Sequence, residues 1–256
     1  MPGGPDSATV RRFVNQATGL LYPIHLVLPQ VRGAWYFSSV NAGGDLIDTS
    51  GHGKTLTNAG TTTFAVDEYL PYASLNGSTQ YFSRGDEAHF DITGDITLIS
   101  IAYFDNTASA IETIVGKWNS VGGNASYILY RDANGKAVGL ITDDGSTTHG
   151  AISTTTITSG AWAFCAMRFT ASSETAVFLG FQGGDGGKLE KVTNTTSVPA
   201  SIFNGNGEVA IGALNTGGTP GLMLTGRVGM TYVCAAALSD DILNQAFAQT
   251  RRLPDV

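Results

Sequence analysis

An indole followed by a polar, glycine-rich loop is the arrangement in this 256-residue chain best suited to hold a ligand. Trp118 precedes Asn119-Ser120-Val121-Gly122-Gly123-Asn124, and Tyr130 and Asp132 stand at the next turn. An aromatic ring stacks on the apolar face of a pyranose, while neighbouring amides and carboxylates take its hydroxyls. Trp118, Asn119, Asn124, Tyr130 and Asp132 are therefore the candidate carbohydrate contacts. A core role for Trp118 at a strand end is the alternative. Trp35 and Trp162 lie inside strand-like runs and are expected in the core.

Catalytic chemistry finds no comparable arrangement. Glycoside hydrolysis needs two carboxylates flanking one bond. Asp86 and Glu87 are adjacent, so a strand would turn them to opposite faces. Asp143-Asp144 and Asp240-Asp241 read as a turn and a helix cap. There is no His-Glu-x-x-His, no Gly-x-Ser-x-Gly and no phosphate-cradling loop. His25, His52, His89 and His149 are scattered without metal-ligand spacing. Arg84-Gly85-Asp86 matches an adhesion tripeptide but reads as a chance combination in a chain with 33 glycines. The sequence predicts a protein that is not an enzyme.

The elements that would position these residues are strands. From residue 34 onward, β-type runs alternate with turn clusters. The clearest runs cover residues 34–37, 74–75, 81–83, 96–103, 112–117, 125–130, 137–142, 162–170, 175–181, 208–213 and 226–234. Between them, Asn41-Ala-Gly-Gly, Asp132-Ala-Asn-Gly and Asp143-Asp-Gly-Ser supply residues that tolerate tight turns. Near the end, Ser239 can cap a helix carrying Ile242, Leu243, Ala246 and Phe247 on one face. Residues 1–33 read differently, as an N-terminal arm. A short helix with Val10, Phe13, Val14 and Ala17 at helical spacing leads into an extended apolar strap. Phe13, Leu20, Leu21, Tyr22, Ile24, Leu26 and Leu28 are its candidate assembly contacts, and Pro23 and Pro29 keep it out of any central strand.

Composition narrows the partners. Hydrophobic residues make up 42% of the chain and charged residues only 14%, which excludes coiled coils and disfavours disorder. The net charge of −7 removes the Lys/Arg footprint that nucleic acids need. No apolar run approaches the ~18 residues of a membrane-spanning helix, and the first thirty residues lack the order of a secretory leader. Cys165 and Cys234, both in apolar strand-like runs, are expected as buried free thiols.

The order of motifs resembles laminin G-like domains of the concanavalin A-like lectin/glucanase superfamily. The resemblance is carried by Ala34-Trp35-Tyr36-Phe37, Asp48-Thr49-Ser50-Gly51-His52-Gly53, and Leu75-Asn76-Gly77-Ser78 leading to Tyr81-Phe82. It continues through Thr93-Gly94-Asp95-Ile96-Thr97, Ile114-Val115-Gly116-Lys117-Trp118, the Trp162 strand and Ala237-Leu238-Ser239-Asp240. It spans roughly residues 34–248 and implies an all-β, concanavalin A-like jelly-roll sandwich of two antiparallel sheets over residues 34–256. The superfamily's glucanases carry Glu-x-Asp-x-x-Glu on one strand, a spacing this chain lacks. Where the family often reads Gly-x-Ile-Asp-Glu, this chain has Gly226-Arg227-Val228-Gly229-Met230. That loss weakens the case for a calcium ion, for which Asp45, Asp48 and Asp95 are the candidate ligands. No other cofactor is expected.

The first functional reading is a structural or adhesive subunit of a large assembly. A virion surface protein, such as a head decoration, fibre or tail component assembled in the host cytoplasm, fits best. It would meet protein partners through the arm and host glycans through the lectin-like fold, with no nucleic acid and no membrane insertion. A freestanding extracellular carbohydrate-binding lectin is the alternative, with a glycoside hydrolase behind it.

Overall fold

In a computed structural model of the chain, residues 28–66, 70–181 and 187–250 are described. The short arm helix and the strap residues Phe13, Leu20, Leu21, Tyr22, Ile24 and Leu26 lie outside them. Eighteen strands, one short 3-10 helix (Ala88–Phe90) and one α-helix are present among the described residues. In chain order the strands begin with β1 (Val31–Val40), β2 (Leu46–Asp48), β3 (Thr57–Ala59), β4 (Thr63–Val66), β5 (Pro71–Asn76) and β6 (Tyr81–Arg84). Next come β7 (Ile96–Phe104), β8 (Glu112–Asn119), β9 (Asn124–Arg131), β10 (Lys136–Thr142), β11 (Thr148–Thr156) and β12 (Trp162–Thr170). The series closes with β13 (Glu174–Phe181), β14 (Glu190–Asn194), β15 (Val209–Ile211), β16 (Leu214–Asn215), β17 (Pro220–Gly221) and β18 (Thr225–Cys234), and then α1 (Asp240–Thr250).

The strands form the jelly-roll sandwich. One sheet runs β14-β13-β12-β7-β18-β1-β2, with β5 on β18 and β4 on β5. The other runs β11-β10-β9-β8-β15-β6-β3, with β16 on β8 and β17 on β16. Pairing is antiparallel apart from the single parallel contact of Asn215 with Asn119. Strand β1 starts at Val31, inside the stretch that the sequence assigns to the arm, and Leu28 is already buried.

Two apolar layers flank the first sheet, because alternate residues of a strand face opposite sides. Leu98, Ala102, Phe104, Cys165 and Met167 point into the sandwich, where they meet Val115, Tyr127 and Leu129 of the second sheet. Ile99, Ile101, Phe164, Met230 and Tyr232 point outward and are covered by Leu243, Ala246 and Phe247 of α1, together with Leu28 and Leu70. The Ser239 hydroxyl accepts the Ile242 N–H, as expected of its cap. Arg168 fastens the helix start, donating to the Leu238 carbonyl at 2.7 Å and to Asp240 at 2.6 Å. Cys165 and Cys234 are buried free thiols on opposite faces of this sheet, and burial pushes both up to about 12.

Strand β18 changes partner half-way. Thr225 to Val228 pair with β5, and Met230 to Cys234 pair with β1. The register shifts at Gly229, where a Cβ would run into Leu70. The acidic residue that the family resemblance leads one to expect here is thus replaced by the one residue that lets Leu70 close the outer layer. Toward one end of the outer face, the buried residues give way to half-buried ones.

Candidate functional site

That end carries a row of residues across five strands. Trp162 on β12 stands opposite Tyr103 on β7, Tyr103 opposite Arg227 on β18, Arg227 opposite Ser74 on β5, and Ser74 opposite Thr63 on β4. Thr63 is exposed and the other four are half-buried. At the usual inter-strand spacing the row spans roughly 19 Å.

The aromatic part is tightly organised. The Trp162 ring lies 5.5 Å from Tyr103 and 6.0 Å from Tyr72, nearly edge-on to both. The Arg227 guanidinium lies over both tyrosines, 4.4 Å from the Tyr103 ring centre and 5.1 Å from that of Tyr72. Asp105 carries its carboxylate 4.0 Å from Arg227.

Buried groups hold this end of the sheet in place. Arg131, fully buried over the Phe104 ring, pairs with Glu112 and bonds Asn106. Glu112 also accepts the Thr225 N–H at 2.8 Å, two residues before Arg227. Gly160 donates to the Phe104 carbonyl, which ties the turn before Trp162 to the end of β7. A Cβ at Gly226 would collide with the Tyr103 carbonyl, so glycine is needed where β18 lies closest to β7.

The structure does not bring the five sequence candidates together. Trp118, half-buried at the end of β8, and Asn119 and Asn124 mark the tip of the β8–β9 hairpin. Asn119 accepts the Val121 and Gly217 N–H groups, and Asn124 donates to the Val121 and Gly122 carbonyls, so both amides serve the loop. Tyr130 and Asp132 lie at the other end of β9, Tyr130 roughly 20 Å from Asn124 and Asp132 farther still. Asp132 holds its own turn through the Asn134 and Lys136 N–H groups. Trp162, expected in the core, is half-buried instead, packed against the edge of the outer layer in which α1 covers Phe164. Trp35 is fully buried as expected, its indole donating to the Lys54 carbonyl.

The calcium candidates serve turns. Burial raises the Asp48 carboxyl, but bonds from Lys54, Ser50 and Ala34 outweigh it and hold the group below its ordinary value. Asp45 is likewise held low, by the Asn58 N–H and the Asn41 amide. Asp95 accepts the Ala171 N–H. Among the described residues, no group of three or more His, Cys, Asp or Glu side chains is placed to hold a metal.

The acidic pairs are also engaged. Asp86 faces the fully buried Lys117 at 2.9 Å, and Glu87 bonds Arg84 and Lys54. Asp86 and Glu87 border a shallow depression of about 560 Å³ that includes the Arg84-Gly85-Asp86 stretch. Asp144 caps its own turn, and Asp240 is bonded by Arg168 and Lys191. His52 and His89, scattered in sequence, lie with ring centres 4.8 Å apart. Among the described residues, no helix is long and apolar enough to cross a membrane.

No family model and no curated protein matches the chain. Solved structures do match its shape. Domain 4 of AbnA, an extracellular GH43 arabinanase from Geobacillus stearothermophilus solved with arabinotriose, superposes with a TM-score of 0.62 at 15% identity, covering 85% of this chain and 98% of that domain. The binding domain of botulinum neurotoxin serotype G superposes with a TM-score of 0.61 at 12% identity over 86% of this chain. The binding domain of botulinum neurotoxin DC in complex with SialylT gives 0.58, also at 12%. The chain spans about half the length of the neurotoxin domains it matches, 51% for serotype G. At these identities the likeness shows the fold alone. That fold is a two-sheet β-sandwich.

Proposed function

We propose that this chain is a non-catalytic carbohydrate-binding domain that takes its glycan on the row from Trp162 to Thr63. The observation that carries the proposal is Trp162 with Tyr103 and Tyr72, half-buried aromatics on a sheet face next to a guanidinium and two hydroxyls. Aromatic rings give a sugar its stacking surface, and the flanking polar groups give it orientation. Domain 4 of AbnA, named as solved with arabinotriose, adds support from the same fold. Trp118 at the hairpin tip is the competing platform.

Within this reading, a laminin G-like domain is the finer family assignment. A surface subunit of a large assembly such as a virion is the finer setting, with protein partners met through the arm. That part rests on the apolar spacing of residues 20–28, of which only Leu28 belongs to the described residues. Immobilised-glycan binding by the wild-type chain, Trp162→Ala and Tyr103→Ala tests the central proposal. Binding that falls at least about tenfold in both variants, a loss of about 1.4 kcal/mol, supports it. Binding that survives both substitutions, or release of reducing sugar by the wild type, overturns it.

A further inference from the structure

We infer that Asn206 is a site of spontaneous covalent modification, where the folded chain selectively converts an asparagine to aspartate or isoaspartate. The site is separate from the aromatic row and does not depend on the carbohydrate-binding reading.

The dipeptide Asn-Gly occurs four times, at residues 76–77, 134–135, 204–205 and 206–207. In such a pair the glycine backbone nitrogen, once hydroxide has taken its proton, attacks the Cγ of the asparagine. A C–N bond forms, the Cγ–Nδ2 bond breaks, and the side-chain nitrogen leaves as ammonia. Water then opens the succinimide ring at either carbonyl, giving aspartate or isoaspartate. Glycine favours the closure because it has no Cβ to crowd the ring. The step needs a mobile asparagine side chain and a following N–H that can give up its proton.

Exposure does not separate the four pairs, since Asn76, Asn134, Asn204 and Asn206 are all exposed. Hydrogen bonding does. Asn76 Oδ1 accepts the Ser78, Thr79 and Gln80 N–H groups at 3.0, 2.9 and 3.2 Å, and its Nδ2 donates to Thr79 Oγ1 at 2.9 Å. Any movement of that side chain works against four bonds. In the second pair the attacking group is engaged, because the Gly135 N–H donates to the Asp132 carbonyl at 2.9 Å. The Asn134 amide also donates to Asp132, at 3.4 Å. In the third, the Gly205 N–H donates to the buried Ser126 hydroxyl at 3.0 Å, and the Gly205 carbonyl accepts a bond from Lys117.

The fourth pair has neither restraint. Among the described residues, the Asn206 side chain and the Gly207 N–H have no hydrogen-bond partner. Residues 202–208 form no helix or strand. Gly207 lies against the backbone of Trp118 and Asn119, so the new carboxylate arises beside the β8–β9 hairpin tip.

The experiment holds the purified full chain for weeks in mildly alkaline buffer below its melting transition. Peptide mapping with fragmentation follows each of the four asparagines, reading the loss of ammonia and then the gain of water. A parallel sample in concentrated urea has the same sequence and no fold. Asn206 is expected to convert at least about tenfold faster than the other three in the folded chain, while in urea the four rates converge to within a few-fold. An acidic species should accumulate on anion exchange and be absent from Asn206→Gln. Conversion of Asn76, Asn134 or Asn204 as fast as Asn206 in the folded chain, or the same ranking in urea, overturns the inference. So does an Asn206 that stays intact while the urea sample converts, or an acidic species that persists in Asn206→Gln.

Discussion

Trp162 and Tyr103 face each other across the β12–β7 pair on the side turned away from the sandwich core, with ring planes inclined at 64°. Because the ring keeps a solvent-facing part, removing it should cost binding more than folding. Trp162→Ala is expected to lower stability by about 1–2 kcal/mol, the worth of its two aromatic contacts. Trp35→Ala should cost about 3–5 kcal/mol, since Trp35 is fully buried against Phe90. Urea melts of the two variants check this. Equal losses would mean that Trp162 is a core residue.

Lys117 provides a test of how a buried charge is compensated. Its side chain is 0% exposed, whereas its partners Asp86 and Asp91 are 40% and 25% exposed. Removing the acids strands a cation in the interior, while removing the lysine leaves carboxylates that water can reach. Asp86→Asn with Asp91→Asn should cost about 3–5 kcal/mol, and Lys117→Met no more than about 1–2 kcal/mol. Denaturant midpoints of the double and single variants decide it, and the reverse order would contradict the account.

Acidification should destabilise the fold in two stages. Burial holds His89 below its ordinary value of 6.5, with Lys54, His52 and Arg32 pushing the same way and its bond to the Arg32 carbonyl opposing. The unfolded chain therefore takes up a proton first as pH falls below about 6.5, and stability is lost from that point. Asp48 and Glu87, both held low, keep their contribution above the ordinary carboxylate range and lose it at more acidic pH. His89→Gln should flatten the upper stage alone. Unfolding midpoints between pH 5 and 7 that decline equally in both proteins would exclude His89 as the cause.

Much of the fold is legible in the sequence because its central strands are apolar and separated by turn residues. Strands β7 and β12 and the Ser239 cap follow directly from composition and spacing. Strands β11 and β14 do not. Thr-His-Gly-Ala-Ile-Ser-Thr-Thr-Thr at the sheet edge has little apolar alternation, and β14 alternates only between half-buried and exposed positions. The site is harder still. Trp118 and Tyr130 look close in sequence, but successive hairpin turns fall at opposite ends of a sheet. Trp162 looks like core because strand composition does not tell the half-buried end of the outer face from the part that α1 covers. Two signals were present: Tyr103 continues the positions of Ile99 and Ile101 with a polar tip, and Arg227 sits where the family pattern is broken.

The arm has its own test. Leu28 and the described residues of both apolar layers remain in a chain that lacks residues 1–27, so the truncated chain is expected to melt cooperatively. If the arm joins this protein to an assembly, native mass measurement will show the oligomer lost. Loss of the thermal transition would instead place the arm in the fold.

The central claim is tested most directly by the indole N–H resonances of the three tryptophans during a glycan titration. Trp35 is buried with its indole bonded to Lys54, Trp118 stands at the hairpin tip, and Trp162 lies on the proposed row. The account predicts that the Trp162 signal shifts saturably while those of Trp35 and Trp118 stay in place. A shift confined to Trp118, or none in Trp162 under saturating ligand, would contradict it.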